Sequence, residues 1–348
     1  MIVAAVVIAI ALAVFAAWLM FRSRKVPVAG SAAELSANPS GGLRIAETDT
    51  SDLERANNLV AERLWKLAFA APSDAPPLEP AHAKVGDSVC AILQAETLDA
   101  KYFPRRPALM PQLLRAVDDP SAATVKLSRM IAHDPVLAAD VLRLANSPMF
   151  RTSPAPIETI QRAIVVLGAD ALRGLVATAM LQPVFRATRS NFPRFPRMLW
   201  ERTERAVRAA ELYAQKTHPQ DRFEAQLAVL MSALGPLVVY GAVLDAYSAH
   251  PLTPSPSLCA ELTAALGPQV AMHVARQWET SPRLIAAIER SAGEVLTTTL
   301  QAGELLGTLA LLESQHVITS DDALAAAADA GLASSLITPI WERLTTAQ

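Results

Sequence analysis

The feature that most constrains this chain is a run of short helical patterns between residues 104 and 181, each ended by proline, glycine or an Asn/Ser pair. The clearest pattern begins at Asp134, whose side chain can accept backbone N–H bonds, and at Pro135, which has no N–H to leave unpaired. Apolar residues follow at helical spacing, and the pattern ends at Asn146 and Ser147 before another proline. Because glycine is also scarce, at 13 of 348 residues, the sequence predicts an all-α fold.

The second half of the chain continues in the same way. Apolar residues at helical spacing, with proline or glycine at the ends, predict several further helices. The predicted helices are Trp200–Gln215, Phe223–Val239 with an interruption at Gly235 and Pro236, Pro268–Trp278, Pro282–Ser291, Ala302–Leu312 and Asp321–Ala330.

Charge and cysteine content exclude some classes of function. The formal net charge is -2, which argues against a general electrostatic attraction to nucleic acid, so we expect no nucleic-acid partner. Cys90 and Cys259 are far apart and form no CxxC or Cys/His cluster. We therefore expect two reduced thiols rather than a disulfide or a zinc site.

The run from His133 to Ser147, followed by the run from Ile160 to Gly168, resembles the HDOD family, which is an all-helical offshoot of the HD phosphohydrolases in bacterial signalling proteins. The resemblance covers roughly residues 102–312. It implies an HD-like multi-helix bundle without catalytic activity. The family-motif positions to which it gives a structural role are Asp134, Pro135, Asn146, Ser147 and Gly168.

HD phosphohydrolases hold a metal ion with a lone His, an adjacent His-Asp pair and a distant Asp. Such a set acidifies a water for attack on phosphorus. Where the resemblance expects ligands, this chain has Arg202, Ser232, Ala233 and Gly267. The literal His-Asp dipeptide at 133–134 is interpreted as a helix start, because a proline follows it. We therefore expect no metal, no cofactor and no catalysis.

Seven arginines lie between residues 186 and 208, where only two glutamates oppose them. One interpretation is an anion-binding face, in which Arg202 and Arg205 would clamp a nucleotide such as a cyclic dinucleotide. The other is an exposed loop that runs into a solvated helix with Glu/Arg pairs. Charge runs usually face water and few aromatic residues interleave with this one, so the second interpretation is preferred.

Residues Ile2–Phe21 are twenty consecutive uncharged residues, enough for a helix of about 30 Å that spans a bilayer. A cleaved signal peptide is the alternative, but no basic residue precedes the run. Three basic residues follow it at positions 22, 24 and 25. The predicted arrangement is a single-pass helix (1–21) in the bacterial inner membrane, with the N-terminus outside, a flexible linker (22–52) and a cytoplasmic domain.

The remaining chain divides into accessory helices (53–101), the HDOD-like domain (102–312) and a C-terminal helical tail (313–348). The accessory helices could pack on the main domain or pair with a second chain as a homodimer, and the sequence leaves both open. The predicted function is a membrane-anchored, non-catalytic signalling or adaptor module that binds a protein partner. The alternatives are a cyclic dinucleotide sensor and a metal-dependent phosphodiesterase.

Overall fold

The computed structural model describes residues 50–72, 78–95, 100–104, 106–108, 110–115, 131, 134–151, 154–186, 191–291 and 293–346. Within these ranges the regular elements are helical, as the sequence predicts, and none of these residues lies in a strand. The α-helices are α1 (Thr50–Phe69), α2 (Pro80–Leu93), α3 (Met110–Arg115), α4 (Pro135–Ala145), α5 (Ile160–Leu167), α6 (Ala169–Arg186), α7 (Arg194–Thr217), α8 (Arg222–Ser232), α9 (Leu234–Ser248), α10 (Pro256–Gln277), α11 (Pro282–Ile288), α12 (Val295–Ser314), α13 (Ser320–Asp329) and α14 (Ser334–Thr345).

The centre of the bundle is the pair α7 and α12, which have the most extensive contact of the described helix pairs. Two glycines of α12 face two alanines of α7 at their closest approach. A Cβ added to Gly307 would lie 2.4 Å from the Ala206 nitrogen, and one added to Gly303 would lie 2.5 Å from the Ala210 Cβ. Small residues at both positions therefore let the two backbones approach closely, and this approach sets the positions of the polar side chains between them.

Helix α1 packs on the same bundle, against α7, α10 and α12. Leu53 and Leu64 are fully buried, and the Phe69 ring stacks on the Phe195 ring of α7 with 4.5 Å between centroids. Helix α2 lies against α9 and α10. The apolar faces of these two helices, whose partner the sequence left open, are therefore buried within their own chain.

The start of α4 is built as its sequence predicts. Asp134 Oδ1 accepts hydrogen bonds from the backbone nitrogens of Val136 and Leu137, at 3.1 and 3.0 Å. Pro135 occupies the first helical turn. This confirms the interpretation of Asp134 as an N-cap, because its carboxylate satisfies two of the N–H groups that a helix start leaves unpaired.

The end of α4 is tied to the following loop by Asn146 and Ser147. The Asn146 side chain donates to the Ile157 carbonyl (2.8 Å) and accepts from the Ile157 nitrogen (2.7 Å), and Ser147 Oγ donates to the Leu144 carbonyl (2.8 Å). Gly168 ends α5 with a φ of +85°, a conformation that favours glycine. These three motif residues therefore stabilise the joints between short helices.

Three predicted helix starts are wrong, those of α7, α10 and α12, and α12 begins at Val295, seven residues before the predicted Ala302. Helix α7 begins at Arg194, six residues before the predicted Trp200, because a proline at position 196 lies in the first turn, where no intrahelical N–H bond is lost. Helix α10 begins at Pro256 and continues through Pro268, where the sequence predicts a helix start. Buried Leu266 and Val270 flank this proline, so tertiary packing outweighs its local preference.

Several predictions fall on residues outside the described ranges. These include the membrane helix at 1–21, almost all of the linker at 22–52, and His133. In the part of the chain that is described, Pro219–Ser248 and Val295–Ser314 are long and apolar enough to cross a membrane. Both are largely buried among the other helices, as core helices of a bundle are.

Candidate functional site

Three of the four positions that the family resemblance assigns to metal ligands meet in space, and the fourth, Ala233, is fully buried but does not line the same cavity. Arg202 on α7, Ser232 at the end of α8 and Gly267 on α10 line one small cavity, of about 40 Å³. Glu304 on α12 and Arg290, which follows α11, also line it, together with the polar side chains of Asn57, Asn58 and Thr263. The fold therefore brings residues of several helices, including α7, α8, α10 and α12, to a common point.

Glu304 is the centre of this site. Its side chain is almost fully buried, and its Oε1 accepts a hydrogen bond from Ser232 Oγ at 2.6 Å. The guanidinium of Arg202 lies 3.4 Å from Oε1, and that of Arg290 lies 3.4 Å from Oε2. One carboxylate is thus held between two arginines and a hydroxyl, and we call these four residues the Glu304 cluster.

Arg202 is fixed from a second direction. Its Nε donates to Thr308 Oγ1 at 3.0 Å, and the Thr308 hydroxyl in turn donates to the Glu304 carbonyl at 2.6 Å. Arg202 is only 6% exposed. The Arg202 guanidinium therefore binds two residues of α12, Glu304 and Thr308, which lie one helical turn apart.

The electrostatics of the cluster favour an ionised glutamate. Burial by itself would raise the pKa of the Glu304 carboxyl, but the charges of Arg202 and Arg290 and the Ser232 hydrogen bond outweigh it, so the pKa lies below its usual value. At neutral pH the cluster therefore contains one carboxylate between two guanidinium groups. A buried charge in such a group is tolerated because its partners remain in place.

The residues present do not fit the metal of an HD phosphohydrolase. Arginine carries a positive charge and has no lone pair for a metal, while Ala233 and Gly267 offer no side-chain donor. That leaves Ser232 and Glu304, which is too few protein ligands for a divalent ion. Among the described residues, no group of three or more His, Cys, Asp or Glu side chains is arranged to hold a metal.

Gly267 has a packing role. Helices α9 and α10 cross at this residue, where a Cβ added to Gly235 would lie 2.0 Å from the Gly267 carbonyl oxygen. A Cβ added to Gly267 itself would lie 3.3 Å from the Pro236 ring. The helix crossing thus occupies the space at this end of the cavity.

The arginine run is partly buried, which corrects the preferred interpretation of a solvated helix. Arg194 and Arg197 are exposed as expected, but Arg202 and Arg208 are buried. Arg205 is half-buried, and its NH1 donates to the Glu201 carbonyl. Desolvation lowers the pKa of Arg205, partly offset by the nearby glutamates. An exposed anion-binding face built on Arg202 and Arg205 is therefore not what this helix presents.

Glu304 and Arg290 are not among the site residues that the sequence predicts. Glu304 interrupts a helix whose other residues up to Leu312 are uncharged, and such an isolated acid in an apolar helix indicates a buried ion pair. The residues near Glu304 in sequence do not indicate its partners, since Ser232 lies 72 residues away.

A bundle of short helices around a polar centre is the class of domain that these observations define. Residues 103–293 match the family model described as the HDOD domain. This is more than half of the chain, which therefore belongs to the HDOD domain family. The match confirms the resemblance seen in the sequence.

Solved structures with similar chains were also found. An HDOD domain protein of unknown function from Geobacter sulfurreducens is 19% identical, with a TM-score of 0.48 over 64% of this chain and 76% of that one. A proposed phosphohydrolase from Shewanella amazonensis SB2B is 20% identical (TM-score 0.42, 80% and 93% covered). A proposed signal transduction protein from Marinobacter aquaeolei VT8 is 16% identical (TM-score 0.45, 85% and 65% covered). Similarity at this level says nothing of activity. A search of curated proteins found no match.

Proposed function

We propose that this HDOD domain protein is a non-catalytic signalling or adaptor module, which acts by binding a protein partner. The observation that carries the proposal is the Glu304 cluster. Arg202 and Ser232 stand where metal ligands are expected, and Arg202 is bound to Glu304 rather than available to a substrate. The remaining cavity of about 40 Å³ is also far too small for a nucleotide. The geometry therefore supports a structural role for the site where the family resemblance expects metal ligands.

The proposal predicts that the purified chain hydrolyses neither cyclic dinucleotides nor phosphate monoesters when Mn²⁺ or Fe²⁺ is added. The physical reason is that no residue set at this site can hold an ion that would acidify a water. The measurement is product formation by chromatography, with a metal-dependent phosphodiesterase in the same buffer as positive control. Metal-dependent hydrolysis that elutes with the protein on size exclusion would overturn the proposal.

We further propose that the apolar run Ile2–Phe21 anchors the protein in the bacterial inner membrane, with the HDOD domain in the cytoplasm. The support is its length and the basic residues at 22, 24 and 25, since positive charge is retained on the cytoplasmic side. Cys90 and Cys259 are free thiols, which is typical of cytoplasmic domains.

For this arrangement, a fluorescent protein fused to the C-terminus is expected to fluoresce, and alkaline phosphatase fused at the same point is expected to be inactive. A control with residues 2–21 deleted should move the fluorescent fusion from the membrane fraction to the soluble fraction. Active phosphatase together with a dark fluorescent fusion would place the domain outside and contradict the assignment.

A further inference from the structure

A second cavity, of about 170 Å³, lies apart from the Glu304 cluster, between α5, α6, α7, α8 and α14. Part of its lining is apolar and includes Phe150, Leu167 and Leu175. An apolar cavity of about 150 Å³ is large enough to bind benzene, so this space has room for a small molecule. We call it the α7/α14 cavity.

The rest of the lining carries an excess of positive charge. Arg208, Arg222 and Arg343 all line the cavity, and Glu211 is the one acidic residue in the lining. Glu211 accepts from Arg208 NH1 through one carboxylate oxygen, at 2.6 Å, and from an Arg222 nitrogen through the other. One carboxylate is thus shared by two arginines, and the lining as a whole has a charge of about +2 at neutral pH.

Part of the hydrogen-bonding capacity of these arginines is unused. Arg208 is 7% exposed, and its Nε and the Nε of Arg222 are buried without an acceptor among the described residues. Arg343 in the last turn of α14 is exposed and has no carboxylate of a described residue within ion-pair distance. Because these two Nε atoms have no exposed surface, they do not border the open space. The positive charge that Glu211 leaves uncompensated in the lining, chiefly on Arg343, is what favours an anion there.

We propose that the α7/α14 cavity binds a phosphoryl dianion, preferably one that carries a small apolar group. A phosphate monoester has a charge close to -2, which matches the excess in the lining, and its three oxygens suit the planar forks of several arginines. The apolar part of the lining would contact the group attached to the phosphate. This site is separate from the Glu304 cluster, so it goes beyond the proposed function and does not depend on the absence of catalysis.

The test is calorimetric titration of the purified full chain with phenyl phosphate and with inorganic phosphate. Sodium chloride at matched ionic strength serves as the reference for non-specific screening. Saturable binding of both anions is expected, with phenyl phosphate the tighter because of the apolar part of the lining. Binding of inorganic phosphate alone would overturn the apolar part of the proposal, and no saturable binding of either would overturn all of it.

Arg343→Gln is expected to weaken phenyl phosphate binding about tenfold, since it removes one charge-assisted hydrogen bond. Its matched control is Arg63→Gln, the same change at an exposed arginine of α1 that is not in the cavity lining. Arg343 is exposed, so its variant should fold, which circular dichroism checks. Equal weakening in both variants, or none in Arg343→Gln, would contradict the site. Neither result bears on the hydrolysis assay above, so the two proposals fail independently.

Discussion

Glu304→Gln is expected to destabilise the protein by about 3–5 kcal/mol, because it removes the one negative charge that compensates the buried Arg202 and the partly buried Arg290. The glutamine side chain has nearly the same volume as glutamate, so the loss of unfolding free energy measures the effect of the charge and not of packing. Glu304 is 3% exposed and lies 3.4 Å from both Arg202 and Arg290. The measurement is urea unfolding followed by circular dichroism, compared with the unsubstituted protein.

The matched control is Glu279→Gln, since Glu279 also pairs with an arginine, Arg106 at 3.6 Å, but its side chain is 85% exposed. Its expected effect is within about 0.5 kcal/mol of zero. Adding Arg202→Met to Glu304→Gln should recover part of the loss, because it removes one uncompensated charge, and the two changes should be non-additive by about 1 kcal/mol or more. A Glu304→Gln protein as stable as Glu279→Gln would show that the cluster is not a buried ion group.

Gly307→Ala is expected to cost about 3 kcal/mol or more, at the upper end of what overpacking a core costs. The added Cβ would lie 2.4 Å from the Ala206 nitrogen and 2.5 Å from its Cα, which are backbone atoms that cannot rotate away. Helices α7 and α12 would have to separate, and the ion pair of Arg202 with Glu304 would lengthen with them. Urea unfolding measures the loss.

Gly241→Ala on α9 is the matched control, because it is also a glycine within a helix but nothing lies within 4 Å of its added Cβ. Alanine has the higher helix propensity, so this change is expected to stabilise by about 0.5–1 kcal/mol. Opposite signs for the two substitutions are the expected result. If Gly307→Ala also stabilised the protein, the close packing of α7 on α12 would be wrong.

Glu304 and Glu211 each form ion pairs with two arginines, but their surroundings differ. Glu304 is enclosed by helix crossings, and its cavity of about 40 Å³ leaves no room for a ligand. Glu211 is likewise shared by two arginines, but it borders about 170 Å³ of space and a third arginine. The first arrangement therefore suits a fixed core, whereas the second leaves charge and volume for a bound anion.

The sequence by itself determined the helical class and the local joints. Asp134 and Pro135 start a helix, and Gly168 ends one, because capping depends on groups within a few residues along the chain. The residue types at 202 and 232 likewise showed that a metal site was not to be expected, and the structure brings these positions together at one cavity.

Only the tertiary structure decided which charges are buried and with what partners. The run that contains Arg202 and Arg208 is typical of a solvated helix, and helical periodicity does not say that α12 and α8 cover one side of it. Glu304 and Ser232 are 72 residues apart in sequence, and their 2.6 Å hydrogen bond exists because α8 and α12 meet in the bundle. Burial and pairing of charges depend on such distant contacts, which local sequence patterns do not contain.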